Sequence, residues 1–195
     1  MKKLIYTSFL ILFLCMQNVR AANEFSGQLL VVRPDGSWPS LEMAVDGELK
    51  GIHIELIQAV GNILNLSVTF DSYPWKRAVQ KFKNGNADAI TYMAKTEERK
   101  SFAYFMEDNL LSESPVAFFV LKKHKSEIHF SGDFKSLQDY TIGSVLGFSY
   151  DEEFDQATYL TKDSGVVNET KLLMMLMTER VQVVIGHVDV IKFLT

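Results

Sequence analysis

The chain has 195 residues, of which 47% are hydrophobic, 12% aromatic and 23% charged. That apolar content excludes a disordered chain and can supply one core or two small lobes. A net charge of −4 argues against nucleic acid and against an anionic membrane surface as partners.

The N-terminus reads as an export signal. Lys2 and Lys3 form a positive start, and residues 4–16 an apolar run too short to span a bilayer. Val19 and Ala21 put small residues at the −3 and −1 positions of a cleavage site after Ala21. An uncleaved anchor is the alternative. The single cysteine, Cys15, follows Leu14 where a lipoprotein signal wants a small residue, so lipidation is not expected. Cleavage removes Cys15 together with Lys2, Lys3 and Arg20. It leaves 17 basic side chains against 24 acidic ones, a net of −7, with no thiol and no disulfide. Export without disulfides fits a bacterial periplasm.

Beyond the signal, strand and helix alternate. Residues 29–33 read as a strand, followed by the turn-rich Pro34-Asp-Gly-Ser-Trp-Pro. Leu56, Ile57, Val60, Ile63 and Leu64 fall at helical spacing and predict an amphipathic helix over 54–65. Residues 66–70 alternate as a strand. Pro74 opens a second helix at its first position, with Ala78, Val79 and Phe82 on one face and Asn84-Gly85 closing it. Residues 87–91 read as a short buried strand. Thr96, able to cap a helix, is trailed three residues later by Arg99. An apolar strand over 114–121 and a charged loop, Lys122-Lys-His-Lys-Ser-Glu, come next. The alternation then restarts: a strand over 141–144, a helix from Ser149, a helix over 168–178, a strand over 181–185 and a helix over Val188–Leu194. Such alternation predicts a parallel-rich α/β fold, and the restart predicts a second lobe entered near 109–121.

Arg99 sits at the mouth of a strand-to-helix crossover, where open α/β sheets bind small ligands. Its planar donors suit both oxygens of a carboxylate. The other reading is an arginine on a first helical turn, bridging Glu98 or solvent. Gly147-Phe-Ser-Tyr follows the first strand of the second lobe, and free N–H groups at such a helix start suit an anion. Ser149 also reads as an N-cap, with Glu152 completing a capping box. Asp151, where a nucleophile elbow needs glycine, excludes that motif. Met174, Met175 and Met177 read as core filler, Lys122 to Lys125 as a solvated linker, and Glu97 and Glu98 as favourable charges at a helix start. The four histidines have no ligand spacing, so no metal and no cofactor is expected.

The succession Gly51-Ile-His-Ile-Glu-Leu-Ile, Pro74-Trp-Lys-Arg-Ala, Asn84-Gly-Asn-Ala-Asp-Ala-Ile and Thr96-Glu-Glu-Arg resembles the bacterial extracellular solute-binding proteins of family 3. These are the periplasmic, polar amino-acid type of ABC-transporter binding component. The resemblance implies an α/β fold of the type II periplasmic-binding-protein kind, two lobes with a ligand cleft between them. The lobes are expected at 22–112 and 113–195, after a signal peptide at 1–21. The resemblance implies that Thr96 and Arg99 hold the ligand's carboxylate, with Ala94 where relatives often carry a hydroxyl. Trp38 would line the pocket or plug the rim. Trp75 would wall the pocket or anchor its helix, and Tyr92 has the same two readings. Gly147 and Ser149 would meet the ligand from the second lobe through backbone amides. His187 stands where amino-acid binders place an aspartate for the ligand's ammonium. Imidazole is a poor ammonium acceptor, and Asp189 lies two residues away.

The reading that follows is a periplasmic binding protein, not an enzyme. It would be a monomer whose lobes close by hinge bending on a small polar, carboxylate-bearing ligand, and it would then dock on an inner-membrane ABC permease. The alternatives are a lyase on the same fold with His187 or Glu42 as acid or base, a ligand-sensing module for a separate receptor, and a non-functional truncated paralogue. The family's chain crosses back to complete the first lobe. A C-terminal truncation is therefore expected here, with an open sheet edge and part of the first-lobe core exposed.

Overall fold

The apolar run Leu29-Leu-Val-Val centres the first of two main sheets. In the computed structural model, which describes residues 27–108 and 110–195, β1 (Gly27–Pro34) is flanked in parallel by β4 (Leu66–Tyr73) and β5 (Ala89–Ile90). The export signal expected at 1–21 lies outside the described residues. A hairpin of β2 (Met43–Val45) and β3 (Glu48–Lys50) and the helices α1 (Ile52–Ile63) and α2 (Trp75–Lys83) fill the connections. The hairpin has no counterpart among the sequence expectations. It turns on Asp46 and Gly47, both at positive φ (54° and 84°), the two-residue geometry that Asp-Gly favours. A single helical turn, α3 (Glu97–Lys100), follows β5.

The second sheet has the order β6-β9-β7-β8. β7 (Thr141–Val145) runs parallel to β8 (Thr161–Val166) and to β9 (Val183–His187), while β6 (Val116–Phe119) is antiparallel to β9. One face packs Leu137, Ile142, Phe154, Val183 and Ile185. The other packs Val145, Leu172, Met175, Leu176, Val181 and Val184, largely through α5 (Glu169–Met177). Each such side chain contributes roughly 1.5–3 kcal/mol by leaving water. Met175 is buried as expected, but Met174 and Met177 are exposed, because they fall on the outer side of α5. α4 (Glu152–Gln156) and α6 (Val188–Leu194) complete this half.

The first half departs from its sequence reading at α1. The helix starts two residues earlier than expected, and His53, Ile54 and Gly61 are its buried residues. Of the apolar stripe, Leu56 is 47% exposed, Val60 46%, Ile63 83% and Leu64 52%. An amphipathic face is made to be covered, and no described residue covers these four. In α2, Pro74 is the N-cap and Trp75 the first helical residue, one step later than expected.

Candidate functional site

Parallel strands point their carboxyl ends the same way, and in open α/β sheets the crevice beyond those ends takes the ligand. In the first lobe, β1 leads to Trp38, β4 to Trp75, and β5 to Tyr92 and Arg99. In the second, β7 leads to Gly147 and Ser149, β8 to Glu169, and β9 ends at His187. A cavity of about 880 Å³ is walled in part by Trp38, Trp75, Tyr92, Arg99, Ser149 and His187. A second of about 710 Å³ adjoins it past Thr96, Arg99 and Gly147.

Arg99 is 8% exposed. Thr96 caps α3 by accepting from the Arg99 amide at 3.2 Å, which fixes the start of the turn. The guanidinium donates through Nη1 to the Ala94 carbonyl (2.9 Å) and through Nη2 to the Gly147 carbonyl (3.1 Å). It also lies 5.5 Å from the Trp75 ring centroid. Burial lowers its pKa, opposed by Glu98 and Asp155. Trp75 donates from Nε1 to the same Gly147 carbonyl at 2.7 Å. Gly147 adopts φ 79°, and a Cβ there would meet Lys76 Cγ at 3.1 Å and Trp75 Cδ1 at 3.4 Å. Only glycine fits both the backbone angle and the close approach without strain.

Aromatic rings fill the space between the lobes. Trp38 lies 3.7 Å from Tyr92, 5.4 Å from His187 and 5.9 Å from Phe148, and Phe148 lies 5.8 Å from Trp75. Tyr92 sits at φ 61°, a sparsely populated angle for a residue with a side chain. Burial pushes the Tyr92 hydroxyl pKa far up, with Glu42 next in effect. Desolvation does the same for Tyr150, whose hydroxyl accepts from the Val145 amide at 2.9 Å. His187 is held below its ordinary pKa by burial, against the Ser114 backbone and Asp189, so the imidazole is neutral near pH 7. Four buried polar atoms have no partner among the described residues: Trp38 Nε1, Tyr92 Oη, His187 Nδ1 and Glu169 Oε1.

Ser149 does not cap a helix. Its hydroxyl donates to Asp155 Oδ2 at 2.6 Å, while Asp151 caps α4 by accepting from the Phe154 amide. The expected capping box with Glu152 therefore does not form, since aspartate is as strong a cap and lies two residues nearer. Glu42 is poorly placed as a free base. Its two oxygens are occupied by Arg33 Nε (2.7 Å), Thr91 Oγ1 (3.2 Å) and His53 Nδ1 (3.2 Å), and the residue is wholly buried. Arg33 further donates to Ser72 Oγ and to the Gly36 carbonyl, both at 2.9 Å. This network clamps the loop that carries Trp38 onto the sheet.

Three features of this region have no counterpart among the sequence expectations. The buried Arg33–Glu42–His53 cluster joins residues nine and eleven positions apart across a loop and a hairpin, a spacing with no helical or strand period to mark it. Phe148 and Tyr150 lie inside Gly147-Phe-Ser-Tyr, where only Gly147 and Ser149 carry an expected role. Glu169 follows a strand, β8, that had no counterpart among the expected elements. A carboxylate directly after the Asn168 cap of a helix was the available signal.

Residues 30–188 match the model of the bacterial extracellular solute-binding proteins, family 3. An arginine-binding periplasmic protein of Mannheimia haemolytica is 30% identical over 170 residues, covering 86% of this chain and 60% of that protein. The chain thus spans less than two thirds of that curated relative. Among solved structures, an ancestral arginine-binding protein bound to arginine aligns with a TM-score of 0.71 at 22% identity, covering 86% of this chain and 73% of that one. An amino acid ABC transporter substrate-binding protein from Streptococcus pneumoniae bound to L-arginine gives 0.66 at 22% identity, covering 84% and 68%. These likenesses carry the fold: two α/β lobes of the type II periplasmic-binding kind.

Proposed function

The chain belongs to the bacterial extracellular solute-binding proteins of family 3, and from that premise we propose that it captures an amino acid by its carboxylate between the two lobes. The observation that carries this reading is the state of Arg99. Its guanidinium is buried at the cleft and, among the described residues, donates to neutral backbone carbonyls alone, Ala94 and Gly147. A buried cation without an anion is poorly compensated, and a ligand carboxylate arriving there gains two charge-assisted bonds in a dry setting. The ligand would take Nη2 from the Gly147 carbonyl and be held from the second lobe as well. Only the closed arrangement then makes every contact, and binding drives closure by that difference.

The hinge falls in the segment after α3. Ser112 is 3.0 Å from His53 Nε2 in the first lobe, and Ser114 donates to Asp189 in the second at 3.2 Å. This pair of contacts supports the boundary between 112 and 113. The protein would work in the periplasm as a monomer, exported by residues 1–21, and hand its ligand to an inner-membrane ABC permease without chemical change. Arginine comes first among ligands to test, because the relatives just described bind it by name.

The experiment is thermal melting of the exported protein with L-arginine, other L-amino acids and agmatine, which is arginine without its carboxylate. A ligand at 100 times its dissociation constant adds about 2.7 kcal/mol, a clear shift. Stabilisation by an amino acid and none by agmatine is expected, and Arg99→Ala should abolish it. Equal stabilisation by agmatine, or a shift that survives Arg99→Ala, would sink the carboxylate reading.

A further inference from the structure

The described chain passes from the first lobe to the second over residues 112–114, and a serine hydroxyl anchors it on each side. Ser112 Oγ lies 3.0 Å from His53 Nε2 in the first lobe. Ser114 donates to Asp189 at 3.2 Å, and the Val188 amide donates to the Pro115 carbonyl at 2.8 Å, both contacts of the second lobe. Glu113, exposed, stands between the two anchors. The second-lobe anchor is at the surface, while the first-lobe anchor reaches into a buried polar chain.

His53 is 1% exposed, and its Nδ1 is 3.2 Å from Glu42 Oε1. With Arg33 beside it Glu42 accepts, so Nδ1 carries the hydrogen and Nε2 faces the Ser112 hydroxyl. Glu42 Oε2 also accepts from Thr91, the residue before Tyr92. The backbone runs alongside: the Ile52 and His53 amides donate to the Ser40 and Leu41 carbonyls, and the Trp38 amide to the Glu42 carbonyl. Gly51 permits this approach, since a Cβ there would lie 2.3 Å from the Leu41 carbonyl oxygen. Ser112 is thus joined, through His53 and Glu42, to the loop that carries Trp38 and to the turn that carries Tyr92.

Members of a buried polar chain depend on one another. Removing one strands its neighbour's hydrogen-bonding group away from water, which costs more than the bond itself contributed. A change at Ser112 is therefore felt at Glu42, and the Trp38 loop cannot shift freely while His53 holds both. We propose that His53 is a positioning residue of the lobe movement: it ties the crossing segment to the Trp38 loop, so that the first-lobe wall of the cleft and the pivot at Glu113 move as one body. The proposal rests on the two-lobed fold and not on the amino-acid reading above. Carboxylate, imidazole and hydroxyl in this order are also the members of an acyl-transfer triad, and the test separates the two roles.

The test is hydrogen exchange of the ligand-free exported protein, resolved by segment, in wild type, Ser112→Ala, Ser112→Thr and His53→Gln. Ser112→Ala removes one hydroxyl from the crossing segment and touches no residue of the Trp38 loop. It should nonetheless raise exchange of the Trp38, Leu41 and Glu42 amides by about fivefold to thirtyfold. The amides of α2, in the same lobe, and of β9, in the other, should keep their wild-type rates. Ser112→Thr, which retains the hydroxyl, should restore the loop. His53→Gln, which cannot reach both neighbours at once, should match or exceed the alanine variant. An unchanged loop in Ser112→Ala overturns the proposal, and so does a rise that threonine fails to reverse. An equal rise in α2 also overturns it, because the hydroxyl then adds only general stability. Labelling of Ser112 by a fluorophosphonate probe would make it a nucleophile and not an anchor, and overturns it as well.

Discussion

The Arg99 guanidinium donates to the Gly147 carbonyl at 3.1 Å, from a first-lobe helix turn to a second-lobe strand end. Trp75 Nε1 donates to the same oxygen at 2.7 Å. The two lobes are therefore already bridged by the group proposed above to take the ligand's carboxylate. The contact is a placeholder of modest strength, since a neutral carbonyl on a charged donor contributes about 1.5–3 kcal/mol. In the proposed reading, a ligand carboxylate that takes both guanidinium edges would displace it.

Arg99→Lys tests whether the planar fork matters. Lysine keeps the charge but presents a point donor that cannot pair two oxygens in a plane. Arginine binding should weaken by about tenfold to a hundredfold in calorimetry, and in Arg99→Ala it should vanish. Full affinity in the lysine variant would place the carboxylate elsewhere.

The buried pair Arg33–Glu42 predicts a stability effect. Arg33→Met leaves the Glu42 carboxylate, wholly buried, without its charged partner. Urea unfolding should show a loss of about 3–5 kcal/mol. Adding Glu42→Leu to that variant should cost less than the two single changes combined, because the stranded charge is gone. Strict additivity would mean that the pair is not coupled.

How legible all this is in the chain depends on how local the signal is. The Thr96 cap and Arg99 turn are contiguous, and they stand where the spacing put them. Helix α6 over Val188–Leu194 was bounded by its own apolar pattern. The hairpin at Asp46-Gly47 carried a strong turn signal, but its strands are three residues each, too short for a periodicity to register. Glu169 looks like an ordinary first-turn carboxylate in the sequence. It is buried all the same, with Gly36 of the other lobe beside its Oε2, and no local pattern reports that. The exposed stripe of α1 shows the reverse: the pattern is right, and the cover it calls for is not among the described residues.

Gly147→Ala tests the bridge from the second lobe. The substitution places a side chain at φ 79° and pushes a Cβ to 3.1 Å from Lys76 and 3.4 Å from Trp75. Left-handed backbone costs such a residue about 1–2 kcal/mol, and the crowding acts only when the lobes meet. Ligand-free Gly147→Ala should have a larger radius of gyration than wild type by small-angle scattering, with weakened arginine binding. An unchanged radius would mean that the Gly147 contact does not hold the lobes together.

Glu169 predicts an unusual pH dependence. Its folded pKa, about 7, lies above the ordinary 4.5. Between those values the folded protein holds a proton that the unfolded chain has released, so this group's contribution falls as pH rises through the window and is lost above it. A shift of this size corresponds to roughly 3 kcal/mol. His187 acts with the opposite sign. Burial keeps its folded pKa below 6.5, so its contribution grows as pH rises through that value. Trp38 does not titrate, and Tyr92 and Tyr150 stay neutral throughout. Comparing wild type with Glu169→Gln cancels His187 and isolates Glu169. Melts from pH 5 to pH 8 should find the Gln variant gaining on wild type as pH rises, and the more stable of the two at pH 8. Parallel melting curves for the two proteins across that range would mean that Glu169 is charged, and compensated, in the free protein.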